Sequence, residues 1–240
     1  MIDKFFTWYK IFSLKIFFRI VFLQVVRKIT FKNSFISYSL SGEDYILHNF
    51  FVNQSNGFYI DVGCNDPIRN SNTFFFYSKG WRGLNIDINP KKIDAFKKYR
   101  PKDISIIAAI SDSIETKKYY TFSSDSVNTI DESKIEDYKK CWKLTGESMV
   151  ITQSLSEILD ERLPPFQAID FLSIDVEGMD FNVLKSLDLN KYVPKIIIIE
   201  IHNFNIMNAQ NDEIVKYLTK YNYRLVAYVT MNAYFKKADV

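Results

Sequence analysis

The chain has 240 residues, 47% hydrophobic and 25% charged, with only seven Gly and six Pro; that is enough for one domain with a real core and excludes a disordered, fibrous or linker-rich protein. The net charge of +3 is uneven: residues 1–32 set Lys4, Lys10, Lys15, Arg19, Arg27, Lys28 and Lys32 against Asp3, a net +6, which leaves −3 for residues 33–240 and no basic stripe for a nucleic acid. Two cysteines, Cys64 and Cys141, have neither a disulfide-framework nor a metal-ligand spacing and fit a reducing compartment, with Cys141 expected as a buried small apolar residue.

Residues 1–34 read as a basic, aromatic-rich helical extension. Its longest uncharged run, Ile20 to Val26, falls far short of the roughly 20 apolar residues that cross a bilayer. Basic residues interrupt the apolar stretch, and no small-residue cleavage site follows, so it is also a poor secretory signal. Two readings stay open. The helix lies in the plane of an anionic membrane surface, or it packs on its own domain or a second subunit. The expected location is cytoplasmic, with peripheral contact at the membrane face through residues 1–32.

Residues 35–240 read as one domain. Ser41 to Phe51 predicts a short helix capped by Ser41. Phe58 to Val62 predicts a strand, Ser71 to Lys79 a helix capped by Ser71 and closed at Gly80, and Gly83 to Asp87 a second strand. Pro90 opens a helix through Tyr99, and Ile104 to Ala109 is a third strand. Residues 113–150 break the alternation and are expected as a substrate-facing insertion, with a short strand at Lys118 to Phe122 and a helix at Asp131 to Trp142. Beyond it come a helix at Ser154 to Arg162, a strand at Ile169 to Ile174 and a helix at Met179 to Leu187. Lys195 to Ile201 is a fifth strand, and Asp212 to Tyr221 a helix. Arg224 to Thr230 and Ala233 to Lys237 close the chain as an antiparallel pair. Near-continuous apolar strands alternating with helices predict an α/β fold with a mostly parallel sheet covered on both faces.

In such sheets ligands bind beyond the carboxyl ends of the strands. Four acids stand there: Asp61, Asp87, Asp175 and Glu200. Gly63 lets the backbone after the first strand approach a cofactor closely. Asp87, 24 residues on, is placed to accept the ribose hydroxyls of an adenosine; its alternative role is a turn-capping acid. The loop Gly63-Cys64-Asn65-Asp66-Pro67 lacks the glycine fingerprint of pyrophosphate cofactors, and an acid at Asp66 would repel one.

The string GFYIDVGCNDPIRNSNTFFFYSKGWRGLNIDINP resembles the FkbM family of methyltransferases, as do SGED at 41–44, AISD at 109–112 and FLSIDVEGMDFNVLKSLD at 171–188. The resemblance implies a Rossmann-like class I fold, S-adenosylmethionine as cofactor, and O-methylation of a saccharide, glycan or secondary metabolite. It places Asp61 and Gly63 against the methionine part of the cofactor and Asp87 against the ribose. Ser71, Asn72 and Thr73 then belong to the site wall, and Ser111 and Asp112 lie near the adenine. Two departures stand out: Cys64 where the family often has Ala, and Asp87 where many methyltransferases have Glu.

Asp175 and Glu177 end the fourth strand, and His202 follows Glu200 at the end of the fifth, so these residues are the candidates for catalysis. Either Asp175 or His202 is a general base, or Asp175 and Glu200, with Glu177 and His202 as further ligands, hold a divalent cation such as magnesium. Glu177 as a turn acid and His202 as a backbone-bonded strand-end residue are equally open. His48 reads as structural. The tyrosines Tyr119, Tyr120 and Tyr138 with Trp142 are either acceptor-binding faces or a packing surface. The rival functions are a nicotinamide-dependent oxidoreductase of Rossmann type and a non-catalytic, membrane-associated protein that keeps the fold.

Overall fold

The computed structural model describes residues 14–30 and 35–238; the parts of the expected extension at 1–13 and 31–34 lie outside the described residues. In chain order the elements are α1 (Leu14–Thr30), α2 (Glu43–Phe50), β1 (Phe58–Val62), α3 (Phe74–Lys79), β2 (Arg82–Asp87), α4 (Pro90–Tyr99), β3 (Ile104–Ile107), β4 (Ala109–Ile110), β5 (Thr116–Phe122) and α5 (Ile135–Tyr138). They continue with β6 (Leu144–Gln153), α6 (Leu155–Arg162), β7 (Phe171–Ile174), α7 (Asp180–Lys185), β8 (Ile196–Glu200), α8 (Glu213–Lys220), β9 (Tyr223–Val229) and β10 (Asn232–Lys237).

Seven strands form the main sheet in the order β3-β2-β1-β7-β8-β10-β9. The first five are parallel to their neighbours, and β10 is inserted antiparallel between β8 and β9. From β1 the chain runs outward to β3 and then crosses back to β7, which pairs with β1 from Tyr59↔Phe171 to Val62↔Ile174. Strand order therefore reverses between β1 and β7, and a crevice opens beyond their carboxyl ends, where α/β sheets bind ligands.

The pleat sorts the strand side chains into two cores. Ile60, Leu172, Ile197 and Ile199 face an aliphatic layer with Leu155, Leu159 and Val183. Tyr59, Phe171, Ile196 and Ile198 face an aromatic layer with Phe74, Phe76 and Trp81. Phe76 stands 4.9 Å from Trp81 and 4.8 Å from Phe171 between ring centroids, and such pairs add about 0.5–1.5 kcal/mol each beyond their buried area. Helices α6, α7 and α8 cover the first layer; α1, α2 and α3 cover the second. His48 packs among Phe35 and Phe75 as a structural residue.

Most expected elements are found within a few residues of their predicted bounds. Ser154 caps α6 in a reciprocal capping box with Glu157, and Asn89 caps α4 ahead of Pro90. Ser71 Oγ accepts the Phe74 N–H at 3.1 Å, ahead of a helix that starts three residues later than expected. Three expectations need correction. Ser41 does not cap α2: Gly42 does, in a left-handed conformation, while the Ser41 N–H donates to Glu43. The acids of the same string are buried because Asp44 accepts bonds from Ser37, Tyr38 and Ser39 and so pins the incoming chain. Cys141 is exposed; Cys64 is the buried cysteine.

The third correction concerns residues 113–150. They fold as a long antiparallel ladder, β5 on β6, from Thr116↔Ile151 to Phe122↔Leu144, and β6 also pairs in parallel with β4. The expected helix over 131–142 is a 3-10 turn at Glu132–Lys134 followed by the single turn of α5. Tyr120, Phe122, Val127 and Ile135 form a small core of their own, with Tyr138 and Trp142 packed on it.

Candidate active site

A cleft of about 400 Å³ opens beyond the carboxyl ends of β1, β2, β7 and β8, and the β5–β6 unit contributes one wall. Asp61, Gly63, Asn72 and Asp87 line one half of it; Asp175, Glu177 and Glu200 line the other. Four strand-end acids thus meet in one space because the parallel strands end together. Thr73, Ser111, Asp112 and His202 are not among the lining residues.

Asp61 is 5% exposed. Its Oδ2 accepts from Thr73 Oγ1 at 2.7 Å, and Thr73 Oγ1 in turn accepts from Arg100 Nη2 at 2.9 Å. Arg100 is wholly buried, bonds Asp103 through Nε at 2.9 Å, and donates to Tyr59 Oη, which itself donates to Asp103. Thr73 is therefore a relay behind Asp61, and Arg100 is the buried counter-charge beneath it. Burial pushes the Asp61 carboxyl up to about 6, with Thr73 and Arg100 opposing.

Asp87 accepts the N–H of Asn89 at 2.8 Å and of Asn65 at 3.1 Å, and Lys92 Nζ lies 3.8 Å away. Asp87 thus caps the turn after β2 and also lines the cleft. Burial raises its pKa, against the pull of Lys92. Gly63 has a left-handed backbone (φ 82°), and a Cβ there would overlap the carbonyl oxygen of Asp175. The glycine thus lets the loop after β1 touch the loop after β7. Asp66 is taken up locally: Oδ1 accepts the N–H groups of Ile68 and Arg69, and Oδ2 pairs with Arg69 at 3.3 Å. Asn72 Nδ2 donates to Ser173 Oγ at 3.1 Å.

Ser111 is buried, and Asp112 pairs with Lys185 at 2.5 Å and accepts from Asn182 at 2.7 Å. The cleft wall at that point is apolar instead, made by Ile88, Ala109 and Ile110. Tyr119 reaches the cleft, whereas Tyr120, Tyr138 and Trp142 belong to the packing of the β5–β6 unit.

At the other pole Asp175 exposes its side chain to the cleft, yet surrounding protein and the charges of Glu200, Asp180 and Glu177 push its carboxyl well above the ordinary range. Burial, then Asp180 and Glu177, push Glu200 up to about 8, while Lys134 opposes. Oxygens of Asp175, Asp180 and Glu200 come within 4.8 Å of one another, an arrangement able to hold a hard divalent cation. The third member is Asp180, in place of the Glu177 or His202 that the sequence suggested. Asp180 also accepts the N–H groups of Val176 and Gly178, and burial raises it to about 6.

Glu177 has a left-handed backbone (φ 57°). It is tied to the β5–β6 unit twice: Tyr138 Oη donates to its Oε2 at 2.9 Å, and Thr129 Oγ1 donates to its carbonyl at 3.0 Å. His202 is exposed, with Nε2 3.0 Å from Glu200 Oε2. Burial and then Lys134 lower its pKa. Sequence reasoning missed Arg100, Asp180, Lys92 and Lys134. Asp180 alone left a trace, as an acid at a helix start three residues after Glu177.

Among solved structures, the chain is similar to a TehB-like S-adenosylmethionine-dependent methyltransferase from Corynebacterium glutamicum, at 12% identity over 91% of this chain and 97% of that one, with a TM-score of 0.41. No curated protein matches the chain significantly. Residues 61–225, which hold both poles of the cleft, match the methyltransferase FkbM domain, and the chain belongs to that family of S-adenosylmethionine-dependent methyltransferases.

Proposed function

We propose that the protein methylates a hydroxyl oxygen, with a saccharide or a comparable polyhydroxyl compound as acceptor. The observation that carries this reading is the pole of carboxylates facing the cofactor half of the same cleft. A hydroxyl is a weak nucleophile until its proton is taken up, and a carboxylate with a raised pKa is suited to accept it. The family resemblance supplies the saccharide class.

The residues present fit the cofactor. Asp61 and Asp87 offer acceptors to positive and hydroxyl-bearing groups, and Ile88, Ala109 and Ile110 offer an apolar wall to a flat ring. No glycine-rich phosphate cradle is among them, and S-adenosylmethionine has no phosphate. When bound, it supplies an electrophilic methyl on a positively charged sulfur. Asp175 then accepts the acceptor's hydroxyl proton on its carboxylate. Burial, then Glu200, Asp180 and Glu177, keep its proton affinity high, and the loop contact at Gly63 holds it beside the cofactor half. A second reading, favoured by the close approach of Asp175, Asp180 and Glu200, has a divalent cation lower the hydroxyl's pKa instead.

Transfer of labelled methyl to a saccharide panel, with mass analysis of the product, tests the proposal. Asp175→Asn should lower turnover by ~10²–10⁴-fold while calorimetry finds cofactor affinity unchanged. Asp87→Ala should weaken cofactor binding by ~10–100-fold. A product methylated on nitrogen or carbon would overturn the reading. Loss of turnover on chelation, restored by magnesium, would select the cation version.

A further inference from the structure

Helix α1 has two apolar faces. Phe17 and Ile20 are buried and Val21 is partly buried, all in the aromatic layer under the sheet. That face fixes the helix to the domain. A second face stays uncovered: Phe18 is 59% exposed, Phe22 65%, Val25 44% and Ile29 75%. The spacing of these four, i, i+4, i+7 and i+11, makes one continuous stripe along a helix. Leu23 and Val26 are exposed beside it. A large uncovered apolar patch marks an interaction site.

The charge on the same segment identifies what covers it. The helix sequence LKIFFRIVFLQVVRKIT contains four basic residues and no acid. Residues 1–32 together net +6, against −3 for the rest of the chain. A second copy docking by this helix would bring four basic residues against four, with no acid to offset them. An anionic lipid surface meets the apolar stripe with acyl chains and the basic residues with phosphate headgroups. Among the described residues no helix is long and apolar enough to cross a bilayer.

We infer that α1 is a peripheral membrane anchor that lies flat on an anionic lipid surface, its inner face bolted to the domain and its outer stripe Phe18, Phe22, Val25 and Ile29 inserted among the lipids. The inference is independent of the methyl acceptor.

Sedimentation of the full chain with lipid vesicles tests it. The protein should pellet with equimolar phosphatidylcholine–phosphatidylserine vesicles, stay in solution with phosphatidylcholine alone, and be released by high salt. The double variant Phe22→Glu, Ile29→Glu should bind anionic vesicles at least about tenfold more weakly, with an unchanged Tm because both side chains are exposed. Failure of the full chain to pellet with anionic vesicles would overturn the inference, and so would undiminished binding by the double variant. A dimer in analytical ultracentrifugation that the same variant dissolves would assign the stripe to a second copy and overturn it as well.

Discussion

Gly63 joins the two halves of the cleft through a single missing methyl. Its φ of 82° belongs to a region that side chains rarely adopt, and its α-carbon faces the Asp175 carbonyl. Gly63→Ala should therefore destabilise the fold by about 2–4 kcal/mol and shift Asp175. Thermal melts and turnover check this together; an alanine variant of native stability and native activity would show that the two loops are not held by this contact. The four strand-end acids were legible because each interrupts a near-continuous apolar run, where an acid has no packing reason to stand. Arg100 was not legible. In the string KKYRPKD it reads as one more solvated base, and only the fold reveals that Tyr59, Thr73 and Asp103 surround it. Arg100 supplies the buried counter-charge that Asp61 and Asp103, hydrogen-bonded as they are, would otherwise lack.

At the scale of elements, the β5–β6 unit and the turn after β7 act as one wall. The turn contains two consecutive left-handed residues, Glu177 and Gly178, and Glu177 is held directly by Tyr138 and Thr129 of the β5–β6 unit. Burial raises the pKa of Glu177, and the Tyr138 hydroxyl opposes this by donating to the carboxylate. Tyr138→Phe removes that bond and keeps the ring that packs on Phe122 and Trp142. Turnover should fall by roughly tenfold, the value of one hydrogen bond to a charged group, with Tm nearly unchanged. A large fall in Tm instead would make the contact a structural tie of the wall. This wall was also the least legible part of the fold. In β6, nine of ten residues are exposed or only partly covered, so no alternation of apolar and polar side chains records the strand. β8, with all five residues buried, was plain because burial on both faces demands an apolar run. Periodicity reports burial, and a ladder standing in solvent has little to report.

For the molecule as a whole, the cleft gathers carboxylates that the folded state would rather keep protonated. Asp61 is the clearest case, raised from 3.8 to about 6. As pH rises through that window the unfolded chain gives up this proton first, so the folded state binds more protons and stability falls with rising pH. Above the window the cost is ~3 kcal/mol for this one group. On the proposed placement of Asp61 against the positively charged end of the cofactor, binding favours the ionised form and offsets that cost. The stabilisation by S-adenosylmethionine should therefore grow between pH 5 and pH 7, where Asp61 would otherwise lose its proton unaided. At acid pH, binding should release a proton, visible in calorimetry as a heat that depends on the buffer's own ionisation. His48 and His202, both lowered from 6.5, titrate with the opposite sign below that pH. Absolute Tm thus mixes the two effects, and the difference between melts with and without cofactor separates them. A cofactor-induced shift that stays constant from pH 5 to pH 7, with no proton released, would remove Asp61 from the cofactor's charged end and leave it as the capped, Thr73-bonded terminus of β1.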